Sequence, residues 1–280
     1  MKAPGESILK RIRWGELIRN MIYLVVTIVT IGPLLWILSM SFRTRQEFSA
    51  DPFGLPTSFY LDNYLKVIQD EQMSQFLVNS IIVTSVSLVI LLSTSILAAY
   101  AISRIEFTGR NFLFVLFLMG DMVPIIVLII PLFILIKFLN IGQTRWALIM
   151  PYVAGSMGFS VFVLRGYFRS LSSDIEDAAR IDGCNAIQLI WHIMLPLVRP
   201  GIIVVSIMTF IFFWNEYYLA SVLLPTQDLF TLPAGIASTF FARFRQDWPA
   251  AAAGALLSIL PILIVFTFAQ DKIMEGWRTH

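Results

Sequence analysis

One cysteine, two histidines and a charged fraction of only 14% leave these 280 residues short of the side chains that most chemistry uses. The lone Cys184 excludes an intrachain disulfide and leaves the redox compartment open. His192 sits by itself and His280 is far from it in sequence, with no Cys or His cluster beside either, so a metal centre has no ligand set to draw on. No GxxxxGK[ST] run is present, so any ATP and magnesium would have to be bound by another chain, and no cofactor is expected in this one. A net charge of +2 gives no grip on nucleic acid. No repeat, low-complexity tract or Pro/Gly/Ser linker marks off a second domain.

What the chain has in quantity is hydrocarbon: 58% of its residues are hydrophobic. Six apolar segments are each long enough to cross the roughly 30 Å core of a bilayer as a helix. They run over Met21–Phe42, Leu77–Ser103, Phe112–Phe138, Ala147–Leu164, Ile202–Leu224 and Ala250–Ala269. None alternates polar and apolar positions as a barrel strand would. Helices satisfy every backbone group inside lipid, so the expected fold is an all-α integral membrane protein with six transmembrane helices. Residues 1–20 are basic, and no small-residue cleavage site follows the first apolar run, which therefore reads as a retained span. With the N-terminus inside, thirteen of the twenty Lys and Arg fall on the cytoplasmic side. That bias puts both termini in the cytoplasm. The expected organisation is a cytoplasmic segment 1–20 followed by one membrane domain, 21–280, in a multi-pass protein of the plasma membrane.

The loops are unequal. Outside, Arg43–Phe76 carries Pro and Gly turn signals followed by a short amphipathic helix, and Pro225–Pro249 is rich in aromatics. Inside, "SRIEFTGRN" is a tight connector, whereas 165–200 is long and patterned. In "EDAARIDGCNAIQLIWHIMLPLVRP", Ser173 is placed to cap a helix, with Glu176 completing a capping box. Asp174, Glu176 and Asp177 suit the positive end of the helix dipole. Ala178 and Ala179 leave room for close approach, and Gly183 stands where a left-handed turn ends the helix. Asn185 with Gln188 opens a second helix. Asn185, Gln188 and His192 form its polar stripe, and Ile187, Ile190, Trp191 and Met194 its apolar one. Pro196 is expected to close it. Two short helices joined at a glycine would lie between spans four and five. Physics alone leaves two readings level: an interfacial cover for the bundle end, or a knob on which a cytoplasmic protein docks.

The same stretch resembles the EAA motif of ABC-importer permeases: Glu-Ala-Ala, three residues, Gly, nine residues, Ile-x-Leu-Pro. Here Asp177, Ala178, Ala179 and Gly183 are followed by nine residues and then Ile193, Leu195 and Pro196. Asp177 stands where that family has Glu. The wording "ARIDGCN", with "LPLVRPGI", "LWILSMSFRTRQEF" and "FFWNEYYLASVLL", is similar to the smaller membrane subunit of maltose-type carbohydrate importers. The C-terminal "DKIMEGWRTH" departs from the tail common there. The resemblance implies a second, homologous permease subunit, two cytoplasmic ATPase subunits that bind ATP and magnesium, and an extracytoplasmic solute-binding protein delivering a carbohydrate. It also implies that segment 172–200 is the ATPase-coupling element. Glu176, Asp177, Ala178, Ala179, Asp182, Gly183, Asn185 and Gln188 would then be interface residues, and Ile193, Leu195 and Pro196 the end of the segment.

Two acids interrupt apolar spans, Asp121 in "LMGDMVP" and Glu216 in "FFWNEYYLA". Ionisable groups at such depth face a cavity or a partner. Together with Trp214, Asn215 and Tyr217 they are candidates for a pore lining or for the interface between permeases. A tilted span that leaves the acid near a polar edge is the third reading. Pro33, Pro124, Pro131 and Pro261 lie inside the spans and free backbone carbonyls. An importer permease for a non-sugar solute, an ion-coupled carrier and a membrane enzyme are the alternatives. A carrier would need two related halves with broken helices, and an enzyme a cluster of catalytic side chains.

Overall fold

The structure, a computed structural model, describes residues 14–240 and 247–278. The first thirteen residues of the expected 1–20 segment, residues 241–246 of the second outer loop and His280 lie outside them. Among the described residues every regular element is helical, as the apolar runs require.

The chain divides into two units. The first comprises Met1–Lys66 with Gln246–Leu256. It holds α1 (Trp14–Ser41), α2 (Arg45–Ala50) and most of α3 (Asp62–Ile68). At 28 residues, α1 is about 42 Å long, enough to cross a bilayer. Nothing in its apolar stretch is buried within the chain. The expected helix in the first long loop is α3, and α2 is an additional one. It begins at a capping box, with the Thr44 hydroxyl accepting from the Glu47 N–H and the Glu47 carboxylate accepting from the Thr44 N–H. The buried Arg43 holds this loop together by donating to the carbonyls of Glu47 and Asp51 at 2.8 and 2.6 Å. Asn63 donates to the Ser41 and Arg43 carbonyls, which ties α3 back to the end of α1.

The second unit, Val67–Arg245 with Leu257–His280, contains α4 (Glu71–Arg104), α5 (Arg110–Met122), α6 (Ile129–Phe138), α7 (Trp146–Ser170), α8 (Asp174–Ile181), α9 (Ala186–Gln188), α10 (Leu195–Leu197), α11 (Arg199–Asn215), α12 (Tyr218–Leu223) and α13 (Leu232–Gly235). The final helix, α14 (Trp248–Arg278), runs through residues of both units. Helices α4 and α7 pack along one another, α5 lies on α7, and α11 lies on both α4 and α7. The α5–α7 crossing is close: a Cβ on Gly158 would stand 2.4 Å from the Phe117 carbonyl oxygen. Small residues let helix backbones approach in this way, and the dispersion attraction between the closely packed surfaces drives association inside lipid. Two apolar clusters fill this unit. One gathers Val83, Leu91, Leu148, Tyr152, Phe213, Leu219 and Leu223. The other gathers Ala99, Tyr100, Val161, Leu164, Phe168, Ala179, Leu189, Met194 and Val205.

Four helices are long and apolar enough to span a membrane unbroken, and the count reaches six if each of two bent pairs serves as one span. The expected continuous span Phe112–Phe138 is bent by 86° between α5 and α6. Pro124 explains it, because the residue before a proline avoids the helical region and Val123 is extended at φ −84°, ψ 116°. Pro131 produces no kink of its own. It occupies the first turn of α6, where a missing N–H costs nothing. The expected span Ile202–Leu224 is also interrupted: α11 stops at Asn215 and α12 begins at Tyr218.

Candidate functional site

Local sequence positions α8 differently from the capping box expected at Ser173. Ser173 is itself helical and makes no side-chain cap. The Ser172 hydroxyl accepts from the Asp174 N–H instead, at 3.2 Å. Glu176 is free of the capping role because it turns inward, where it is 5% exposed. One carboxylate oxygen lies 3.0 Å from Nε of Arg104, the last residue of α4. The other lies 3.5 Å from the Tyr100 hydroxyl and 3.9 Å from Arg180. Arg104 also donates to the Phe168 and Leu171 carbonyls at the end of α7, at 2.6 and 2.7 Å. A buried carboxylate needs such a partner, since desolvating it alone is costly.

Ala179 is buried beside Glu176, in the cluster with Ala99 and Phe168. Glu176 and Ala179, both expected as interface residues, therefore form the buried inner face of α8. Asp177, Ala178, Asp182, Gly183, Asn185 and Gln188 are all exposed. Gly183 takes φ +83°, the left-handed turn its position called for. Asn185 and Gln188 close the expected capping box reciprocally, at 2.9 and 3.0 Å.

Beyond α9 the helix widens into a π turn over Leu189–Met194, and this resets its faces. Leu189 and Met194 are buried and Ile190 is half-buried, whereas Ile187 and Trp191 are 70% and 65% exposed. Two members of the expected apolar stripe thus stand outside, alongside Ile181 at 86% exposure. Ile193 and Leu195 are half-buried, and Pro196 is exposed. Pro196 does not end the helix, because it lies in the first turn of α10. The change of direction comes at Val198, where Ala186–Leu197 and Arg199–Asn215 meet at 74°.

The second candidate site centres on the break between α11 and α12. Glu216 is buried at 8% exposure and folds back onto its own chain. Its two oxygens accept from the Leu219 and Ala220 N–H groups at 2.7 and 3.2 Å, and Tyr152 of α7 donates to it at 2.9 Å. An interrupted helix in lipid leaves orphan N–H groups, and here the carboxylate supplies two of the missing acceptors. Trp214 is buried and donates to the Ser258 carbonyl at 3.2 Å. Asn215 is exposed and Tyr217 half-exposed. Asp121 is exposed at the end of α5, one residue from the helix terminus. The structure does not bring Asp121 together with the Glu216 group. Among the described residues no cluster of three metal-ligating side chains occurs. The residues missed by sequence reasoning are Arg104, Tyr100 and Tyr152. The one signal for them was a polar side chain placed inside or at the end of an apolar run.

Residues 91–278 match the family of binding-protein-dependent transport system inner membrane components. An ABC transporter permease of a Caldicellulosiruptor strain is 38% identical to this chain over 257 residues, covering 91% of the chain and 93% of the relative. The diacetylchitobiose uptake system permease NgcG of Streptomyces coelicolor is 32% identical over 257 residues, covering 91% and 85%. The fold matches a chain in the crystal structure of a bacterial ABC transporter involved in the import of alginate. The TM-score is 0.81, with 23% identity and coverage of 96% of this chain and 99% of that one. Bilayer-length apolar helices, the glycine-jointed pair α8–α9 and a family match over two thirds of the sequence agree: this chain belongs to the binding-protein-dependent transport system inner membrane components, multi-pass proteins of the cell membrane.

Proposed function

We propose that the chain is one permease subunit of an ATP-driven importer for a carbohydrate, and that it forms half of the translocation pore with a second, homologous permease. Diacetylchitobiose and alginate, the substrates named for two of its likenesses, are both built of sugar rings. In this reading the bent pairs complete six spans, both termini are cytoplasmic, and a solute-binding protein delivers cargo from the other side. The membrane domain is 21–280, with 172–200 as its coupling segment. The chain itself is non-catalytic, and two partner ATPases bind the ATP and magnesium.

One observation carries the reading. The solvent-facing side of α8–α9 sets small and polar groups (Asp177, Ala178, Asp182, Gly183, Asn185, Gln188) beside uncovered Ile181, Ile187 and Trp191. Large apolar side chains left bare next to a polar rim mark a protein-binding surface. Closure of the ATPase pair on ATP would shift the permease between its two open states through this contact. At the other candidate site, exposed Asn215 and half-exposed Tyr217 would meet a sugar or the second permease, with buried Trp214 and Glu216 flanking them in sequence, and Asp121 would do so separately from the end of α5.

The test is co-purification of ATPase from detergent extracts, with uptake measured in vesicles. Trp191→Glu, Ile187→Glu and Gly183→Pro are expected to cut ATPase recovery tenfold or more while the permease stays in the membrane. Full recovery and normal uptake in all three would end the docking assignment.

A further inference from the structure

The arginine at the end of α4 does more than balance a charge. Its terminal nitrogen donates to both the Phe168 and Leu171 carbonyls, at 2.6 and 2.7 Å, and so ties the end of α4 to the end of α7, where the Phe168 carbonyl also accepts the Leu171 N–H. Its Nε lies 3.0 Å from Glu176, 72 residues further along the chain, with side-chain exposures of 13% and 7%. Tyr100, one turn back on α4, reaches the other oxygen of the same carboxylate at 3.5 Å. Arg180 approaches that oxygen from the solvent side at 3.9 Å, but its side chain is 63% exposed, so water screens it. Three elements, α4, α7 and α8, therefore meet on one planar group. One nitrogen of the guanidinium holds the two carbonyls while its delocalised charge faces the carboxylate as an ion pair without hydrogen-bond geometry, an arrangement the compact point charge of a lysine ammonium does not reproduce.

We infer that Arg104 is the positioning residue of the coupling step: through Glu176 it fixes α8 to the ends of α4 and α7, so that these three move as one body. The inference rests on the coupling reading above and adds the route by which force leaves α8. Asp177 and Ala178 face outward, and Glu176 and Ala179 face inward on the same two turns. A push on the outer side therefore arrives at Arg104 within one helix diameter. The apolar cluster that Ala179 shares with Ala99 and Phe168 carries load by shape. The ion pair resists sliding and rotation of α8, which a contact between small side chains does not.

The experiment places spin labels at Asp174→Cys on α8 and Glu106→Cys just beyond α4, in a Cys184→Ser background that removes the only native thiol. In the full chain, alone in detergent and assembled with its ATPase, the distance distribution is expected to be narrow. It should stay the same with and without trapped ATP. Arg104→Gln and Glu176→Gln should each broaden it at least twofold. They should also abolish the response of ATP hydrolysis to loaded binding protein, with the assembly retained. Arg104→Lys, which keeps the charge and loses the guanidinium, should fall between. An unbroadened distribution in both neutral variants overturns the inference, as does a wild-type distance that changes on ATP trapping. Loss of ATPase capture by the wild-type chain would instead count against the coupling reading, and the detergent measurement would still decide on the clamp.

Discussion

Tyr152 donates a 2.9 Å hydrogen bond to Glu216, and the same carboxylate closes the first turn of α12. An acid in the middle of an apolar run is thereby consumed by its own chain. Tyr152 is wholly buried and stacks on Phe213 at 5.1 Å, so its hydroxyl has no freedom to leave. The joint is a helix interruption whose buried N–H groups have been answered in advance.

Removing the carboxylate should therefore cost stability first. Glu216→Ala removes the acceptor of two buried N–H groups and the tyrosine, at about 1–3 kcal/mol for each group left buried and unsatisfied. Tyr152→Phe removes one bond to a charged group, about 1.5–3 kcal/mol. Because both changes break the same bond, the double variant should lose less than the sum. Thermal unfolding in detergent reads all three. Additive losses would mean that the two side chains do not cooperate.

Gly158 supplies a second expectation. A Cβ there would meet the Phe117 carbonyl oxygen at 2.4 Å and the Asp121 Cβ at 2.7 Å. A backbone atom cannot swing aside as a flexible side chain can, so Gly158→Ala must push α5 away from α7. The cost should be about 1–3 kcal/mol, the range for overpacking, and Gly158→Leu should abolish accumulation in the membrane. Gly166, with open space around it, is the control: Gly166→Ala should leave yield and melting unchanged. Equal behaviour of the two alanine variants would contradict the close crossing.

Acid should loosen the first long loop by a known route. The Thr57 hydroxyl and the Thr44 N–H both donate to Glu47 and hold its carboxyl below the usual range. A group lowered on folding contributes stability above its unfolded value and loses it as pH falls through its folded value. Protection of the 44–60 amides against hydrogen exchange should thus be flat above pH about 4.5, Glu47's ordinary value, and decline only below it. Thr57→Val removes the larger of the two donors, so it should leave the onset in place, shrink the decline and end it at a higher pH. A decline beginning near neutrality would point to a different group.

Much of this was legible in the chain, and the remainder failed for identifiable reasons. Runs of some twenty apolar residues announce spans, because lipid tolerates little else. The Asn185–Gln188 box and the left-handed Gly183 follow from spacing over three or four residues. A window long enough to find a span averages away a two-residue gap, so the interruption at Glu216 was invisible. The bend at Val123 did have a local sign in Pro124, yet sequence alone does not distinguish it from Pro131. Glu176 matched a capping pattern, but a partner 72 residues away outcompeted it. The first long loop hid a capping box at Thr44 and Glu47 that spacing would have found.

The π turn over Leu189–Met194 has a consequence for how such chains vary. A turn of that kind holds one more residue than an α-helical turn, and a single-codon deletion would remove it. The helix before it would then rotate by about 100° relative to the helix after it, the angle one residue subtends. Trp191 or its replacement would swing inward, and the Asn185–Gln188 edge would face a new direction. The angular setting of the surface is written as a residue count, so length changes there should be far less tolerated than substitutions.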